Sequence, residues 1–133
     1  MAEPRTRAVG VTDSRRYLGK AEEYLEAAKR ELVAGLTVPA TSLAIHAAIN
    51  ACDAVCGMRL GRRAAGHDHD HAVELVRSAG PDGVDLAREL VRLLPLKSRA
   101  EYEPDAIARG VATKAVQRAG RCVAIARRVV GLR

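Results

Sequence analysis

The sequence has no tryptophan and no phenylalanine, and its three tyrosines are its only aromatic residues. A hydrophobic core must therefore be built from leucine, valine, isoleucine and many alanines. Alanine is the strongest helix former and lets helices approach one another closely. With 133 residues, the chain is long enough for a single domain with its own core. The lack of aromatic residues thus favours a helical domain.

Cysteine is scarce, and the sequence shows neither the apolar h-region of a secretory signal nor a long uninterrupted apolar run. An odd number of cysteines, three, favours free thiols in a reducing compartment over a disulfide framework. The longest apolar stretch, SLAIHAAINACDAVCGM, is interrupted by His46, Asn50 and Asp53, which makes it a poor membrane span. These absences predict a soluble, cytoplasmic protein that does not enter a membrane.

The spacing of apolar residues predicts an all-α, up-and-down bundle of about five helices without strands. The first helix repeats its apolar positions at intervals of three and four from Leu18 to Leu32. Pro95 must kink the fourth helix or divide it. Residues 1–11 lack periodicity and are expected to form a flexible arm, which leaves residues 12–133 as a single bundle. Further helices are expected to begin near Thr37, Asp70, Val84 and Pro104.

The predicted second helix is apolar almost all round, apart from one narrow polar stripe. Ser42, His46, Asn50 and Asp53 advance by four, four and three residues, so they share one helix face. A buried polar network that fixes helix packing would explain this stripe, because unsatisfied polar groups are costly to bury. A cleft that faces the cations Lys97 or Arg99 would explain it equally well.

Positive charge is in excess, with a formal net charge of +6, and it is concentrated in the predicted last helix. One interpretation is an ordinary solvated helix face. The other is a phosphate-binding ridge, on which cations release counterions from a nucleic acid. No aromatic residue interleaves with these cations, so base-specific recognition is not expected there. The candidate ridge consists of Lys114, Arg118, Arg121 and Arg128.

The string GHDHDH contains His67, His69 and His71, which are possible metal ligands. Alternate residues converge on one ion only in an extended chain, and Asp68 or Asp70 has an ordinary role as the N-cap of the third helix. We therefore expect no metal site and no cofactor. The three cysteines, Cys52, Cys56 and Cys122, are interpreted as small core residues.

The order of these segments resembles the HEPN superfamily of small helical proteins from prokaryotic toxin–antitoxin and defence systems. The resemblance spans about residues 13–130 and rests on SLAIHAAINACDAVC, HAVELV and LLPLKSRAEYEP. It implies a homodimer and metal-independent RNA cleavage, in which the 2′-hydroxyl of the RNA attacks the adjacent phosphate. It also implies partners such as RNA, a cognate nucleotidyltransferase or an antitoxin protein.

Family members that cleave RNA resemble one another in an arginine, a polar residue after it, and a histidine four to six residues downstream. At this place the sequence has Lys97, Ser98 and Tyr102, so lysine replaces arginine and tyrosine replaces histidine. Lysine lacks the planar fork that grips a phosphate with two bonds, and tyrosine is a poor general base at neutral pH. This departure predicts an RNA-binding or partner-binding module with weakened or absent catalysis, with Arg99 among its phosphate contacts.

An active endoribonuclease is the alternative, in which Lys97, Ser98 and Tyr102 are assisted by His46 or Asp53. This alternative requires that the Lys97–Tyr102 turn and the polar side of the second helix open into one groove between two copies of the chain. A metal-dependent hydrolase that uses the histidine string is the least favoured hypothesis.

Overall fold

The computed structural model describes residues 5–66 and 69–131. Within these ranges the chain forms six helices and one two-stranded antiparallel sheet, so the prediction of an all-α bundle is confirmed. The helices are α1 (Val11–Val33), α2 (Thr37–Leu60), α3 (His69–Arg77), α4 (Pro81–Leu93), α5 (Leu96–Glu101) and α6 (Arg109–Val130). The strands are β1 (Thr6–Ala8) and β2 (Arg62–Ala64).

Helix α2 lies at the centre of the bundle, where it packs against α1 and α6 and also contacts α4 and α5. Its alanines are fully buried, and their small side chains let the neighbouring helices pack closely. By length and composition alone α2 could cross a membrane, but 56% of its most apolar window is buried inside the bundle. Its role as the core helix therefore accounts for its apolar character.

Pro95 divides the predicted fourth helix, which is why the described residues contain one helix more than expected. Proline has no N–H with which to continue the helical hydrogen bonds, and α4 ends two residues before it. The short helix α5 follows directly, with Pro95 at its N-cap. The last helix begins at Arg109 and not at Pro104 as predicted, because Ala108 is extended and the buried side chain of Ile107 anchors the preceding segment.

The two short strands are a correction to the sequence-based prediction, which had no strand. The arm predicted over residues 1–11 contains β1, and its residues 1–4 lie outside the described residues. Strand β1 pairs with β2 in a register that places Arg7 opposite Arg63. The N–H of Val9 donates to the carbonyl of Gly61 at 2.9 Å, and the Val9 side chain is buried. Periodicity cannot reveal three-residue strands, because such strands are fixed by partners distant in the sequence.

Candidate functional site

The carboxylate of Glu101 connects helix α5 to helix α2. Lys97 Nζ donates to Glu101 Oε2 at 2.9 Å, and His46 Nε2 lies 3.1 Å from Glu101 Oε1. The hydroxyl of Ser42 donates to the same Oε1 at 3.5 Å. We call Ser42, His46, Lys97 and Glu101 the Glu101 cluster. It brings together residues that are more than fifty positions apart in the sequence.

The Glu101 cluster is partly shielded from solvent, which strengthens its ionic interactions. The side chains of Lys97 and Glu101 are only 23% and 19% exposed, whereas that of His46 is 38% exposed. The hydrogen bond to Glu101 raises the pKa of Lys97 above its ordinary value. The hydrogen bond from Lys97 in turn lowers the pKa of Glu101, so both groups carry their charges at neutral pH.

Two tyrosine rings flank the Glu101 cluster. Tyr24 of α1 stacks on the imidazole of His46 with ring centroids 5.4 Å apart, which fixes the orientation of the imidazole. Lys97 Nζ lies 5.7 Å from the centroid of Tyr102, a residue that follows α5 and is 76% exposed. Ser98 is exposed on α5, and its carbonyl accepts the N–H of Tyr102 at 2.9 Å. Lys97 and Tyr102 are therefore in contact, while the Ser98 hydroxyl lies outside the cluster.

An open groove of about 350 Å³ runs along α1 beside the cluster. Tyr24 belongs to both the groove and the cluster, since one face of its ring contacts His46. The groove gives a ligand access to the edge of the cluster. It is lined by Lys20, Glu23, Tyr24, Ala27 and Leu43.

Asp53 lies on the same side of α2 as His46 but two helical turns away, about 10 Å along the helix axis. Burial raises the pKa of Asp53 to about 7, although the charges of Arg63 and Lys20 oppose the shift. Asp53 borders a narrow cavity with Ile49 and His69 and does not contact the Glu101 cluster. The polar stripe on α2 is thus divided between two separate environments, with His46 in the Glu101 cluster and Asp53 at the narrow cavity.

Asn50 was predicted to lie on the polar stripe of α2, but in the structure it does not share the half-buried face of Ser42, His46 and Asp53. Its side chain is buried, and Nδ2 donates to the carbonyl of His46 at 2.8 Å within the same helix. Ile49 takes its place on the half-buried face of α2. The members of that face are Ser42, His46, Ile49 and Asp53.

The candidate phosphate ridge on α6 is partly neutralised by carboxylates of the same chain. Arg118 and Arg121 both bind Glu89, at 3.0 and 3.2 Å. Burial raises the pKa of Glu89, but the hydrogen bonds from the two arginines outweigh this and leave it below the ordinary value. Arg128 binds Asp82 at 2.7 Å. Lys114 is exposed and Arg99 is half-buried, neither with an ion pair inside the described part of the chain.

The histidine string does not assemble a metal site in the residues that the structure describes, 5–66 and 69–131. Over these ranges no three His, Cys, Asp or Glu side chains lie close enough to hold a metal ion. His69 and His71 are in the first turn of α3, whereas His67 and Asp68 lie outside the described residues. The three cysteines are buried free thiols, in agreement with their interpretation as core residues.

Sequence reasoning missed Glu101 and Tyr24 as members of the candidate site. Lys97 and Glu101 are four residues apart, a spacing that brings opposite charges together on a helix. This four-residue spacing could have been read from the sequence. The stacking of Tyr24 on His46 could not, because it depends on how α1 packs against α2.

The all-α bundle agrees with the fold of a known family of helical domains. Residues 14–132 match the HEPN domain family, and the chain therefore belongs to that family. HEPN domains are generally associated with ribonuclease or nucleotide-related activity and commonly form dimers. No curated protein is significantly similar to this chain in sequence.

Proposed function

We propose that this HEPN protein is a homodimeric RNA-binding module with weak or absent RNA cleavage. The observation that carries the proposal is the double engagement of Glu101, which holds both Lys97 and His46. A phosphate that enters the site meets a lysine whose charge is already compensated. Cleavage would also need a free base for the 2′-hydroxyl, and one nitrogen of His46 is held at Glu101.

The half-buried face of α2 supports the proposed homodimer. Ser42, His46, Ile49 and Asp53 advance by four, three and four residues, which is the spacing of a seam between packed helices. Helix α5 contacts one end of this face, and α3 and α4 border the other end, but all four of its residues remain half-buried. The adjacent Leu43 is also half-buried. A second copy packed on this face would place two Glu101 clusters near each other.

Replacing Ile49 with glutamate is expected to convert the dimer into a monomer, because each seam would then bury two like charges without partners. Sedimentation at several concentrations measures the change, and circular dichroism checks that the variant remains helical. Val33→Glu is the matched control, since Val33 is 84% exposed at the end of α1. A variant that stays dimeric, or a monomeric native protein, would contradict the proposed seam.

A cytoplasmic location and a cognate nucleotidyltransferase or antitoxin protein are part of the same proposal. Three free thiols in the core fit a reducing compartment. The family membership supports a protein partner of this kind. Copurification with the products of neighbouring genes tests that partner directly.

Replacing Glu101 with glutamine distinguishes a binding module from an enzyme. Glutamine keeps the shape and can still accept a hydrogen bond, but it no longer compensates the charge of Lys97. For a binding module, we expect RNA affinity to rise about threefold to tenfold because one cation becomes available to a phosphate. Fluorescence anisotropy with a labelled single-stranded RNA measures the change. Glu103→Gln, at an exposed position two residues away, controls for net charge.

An active metal-independent endoribonuclease is the second candidate, and one specific observation favours it. His46 provides near Lys97 an imidazole in place of the motif histidine that this chain lacks at Tyr102, since His46 and Lys97 share the carboxylate of Glu101. A carboxylate that orients a histidine is a familiar arrangement for a general base. If this candidate is correct, Glu101→Gln lowers cleavage instead of raising affinity.

Incubation of the pure protein with mixed RNA, with and without a chelator, separates these functions. Cleavage that survives chelation and is lost in His46→Ala and in Lys97→Ala/Tyr102→Phe supports the endoribonuclease. Salt-sensitive RNA retention without cleavage supports the binding module. Cleavage that a chelator abolishes contradicts both, and absence of RNA binding under low salt contradicts the binding module.

A further inference from the structure

The two-stranded sheet concentrates arginine on one of its faces. Alternate residues of a strand share a face and the register pairs Arg7 with Arg63, so Arg5, Arg7 and Arg63 lie on the same face of the sheet. Arg5 and Arg7 are exposed, whereas Arg63 is half-buried. We call these three residues the arginine ribbon.

The arginine ribbon is electrostatically unfavourable in the isolated chain. Arg7 is directly opposite Arg63 in the register, and like charges at opposed positions destabilise a strand pair. None of the three has a carboxylate within ion-pair distance among residues 5–66 and 69–131, although the charge of Arg63 acts on the buried carboxyl group of Asp53. In contrast, the cations on α6 are mostly bound to Glu89, Asp82 and Glu22. An anion from another molecule would relieve the repulsion in the ribbon.

An aromatic ring adjoins the arginine ribbon. Arg63 Cζ lies 5.8 Å from the ring centroid of Tyr17, and Arg63 is held in place by a hydrogen bond from Nη1 to the carbonyl of Ala64 at 2.9 Å. Tyr17 also lines an open groove of about 200 Å³ along α1. The groove shares Lys20 with the larger groove that leads to Tyr24 and the Glu101 cluster.

We propose that the arginine ribbon binds the phosphates of single-stranded RNA and that Tyr17 stacks on one of its bases. This inference rests on the proposed RNA-binding function and names the surface that carries it. Guanidinium groups match phosphate oxygens with two parallel hydrogen bonds. The ring of Tyr17 is half-buried, and a base can stack on the part of it that lines the groove. The strand would continue along the α1 grooves, past Lys20, toward the Glu101 cluster.

A lipid surface fits the ribbon less well than RNA does. Anionic headgroups would satisfy the arginines, but a stacking ring in a groove has no counterpart in a bilayer. The part of the chain that the structure describes also has no large apolar side chain exposed on the ribbon itself. Single-stranded RNA uses both the guanidinium groups and the ring.

The test compares two charge-matched double variants for binding to a labelled single-stranded RNA oligonucleotide. Arg5→Gln/Arg7→Gln removes two exposed cations from the ribbon, and Arg88→Gln/Arg92→Gln removes two exposed cations from α4. We expect the ribbon variant to bind at least tenfold more weakly. The slope of log affinity against log salt should also fall by about 1.4 in magnitude, since each lost single-strand phosphate contact accounts for about 0.7.

Removing Arg7 relieves repulsion between the strands, so we expect the ribbon variant to keep its fold, and its melting temperature checks this. A loss of RNA affinity in that variant then reports the lost phosphate contacts. Tyr17→Leu should weaken RNA binding about tenfold at unchanged salt slope, the signature of lost stacking. The inference is overturned if both double variants weaken RNA binding equally, or if the ribbon variant does not weaken it at all. In either case the proposed RNA-binding function stands. A native protein that binds anionic phosphatidylserine vesicles but no RNA overturns both.

Discussion

Replacing Asp53 with asparagine is expected to stabilise the protein, and the gain should grow as the pH rises. Burial raises the pKa of Asp53 to about 7, against 3.8 for the unperturbed carboxyl group. Ionising Asp53 in the folded protein therefore costs on the order of 4 kcal/mol more than in the unfolded chain, at about 1.4 kcal/mol per pKa unit. Asparagine has the same shape and never ionises, so this cost disappears.

The direction of the pH dependence follows from proton binding. Below the unfolded pKa both states are protonated, and Asp53 contributes no difference. Between the two pKa values the folded state holds a proton that the unfolded state has lost, so stability falls as the pH rises. Above about pH 7 the full cost is present. The advantage of Asp53→Asn over the native protein should thus grow by about 2–3 kcal/mol between pH 5 and pH 8.5.

Urea denaturation at both pH values, at one fixed protein concentration, measures this advantage. Asp85→Asn is the control, because it removes an exposed carboxylate on α4 and causes the same change in net charge. An Asp53→Asn variant that is less stable than the native protein at pH 8.5 would contradict the expectation. So would an advantage that does not change with pH.

Replacing Gly83 with alanine is expected to destabilise the fold by about 2–3 kcal/mol, although alanine is the better helix former. Gly83 lies in the first turn of α4, where an added Cβ would overlap the carbonyl oxygen of Val76 and would lie 2.9 Å from Cβ of Ala79. The Val76 carbonyl also accepts the N–H of Ala79 at 2.9 Å, so it cannot rotate away. Helices α3 and α4 would have to separate.

The same substitution at Gly120 is the matched control with the opposite expected sign. Gly120 lies inside α6, and an added Cβ there meets no atom within 4 Å. Gly120→Ala should stabilise the protein by about 1 kcal/mol through helix propensity alone. Thermal and urea denaturation of both variants give the comparison. A Gly83→Ala variant as stable as the native protein would show that α3 and α4 are not packed as closely as described.

The helices were predictable because the spacing of apolar residues within each helix shows which of its faces is buried. The apolar repeat from Leu18 to Leu32 is local information, and the structure confirms α1. Pro95 likewise acts on its own segment, and the division between α4 and α5 follows from its missing N–H. Strand β1 was not predictable, because its hydrogen bonds go to residues more than fifty positions away.

In the candidate site too, contacts between segments that are distant in the sequence could not be predicted. The sequence indicated Lys97, Tyr102 and His46 as candidates, but not the carboxylate of Glu101 that Lys97 and His46 share. It indicated the cations of α6, but not the carboxylates that bind Arg118, Arg121 and Arg128. Ion pairs between helices depend on which faces meet, and that information is spread over the whole chain.

The sequence alone determined the helical class, the central position of the apolar helix α2 and the break at Pro95, since periodicity and backbone chemistry act within a few residues. Only the tertiary structure decided which charges are compensated and which remain available. It joined Lys97 and His46 through Glu101, and it left Arg5 and Arg7 without an ion pair to a carboxylate among the described residues. The reason is that electrostatic interactions depend on distances in space, and folding sets these distances between segments that are far apart in the chain.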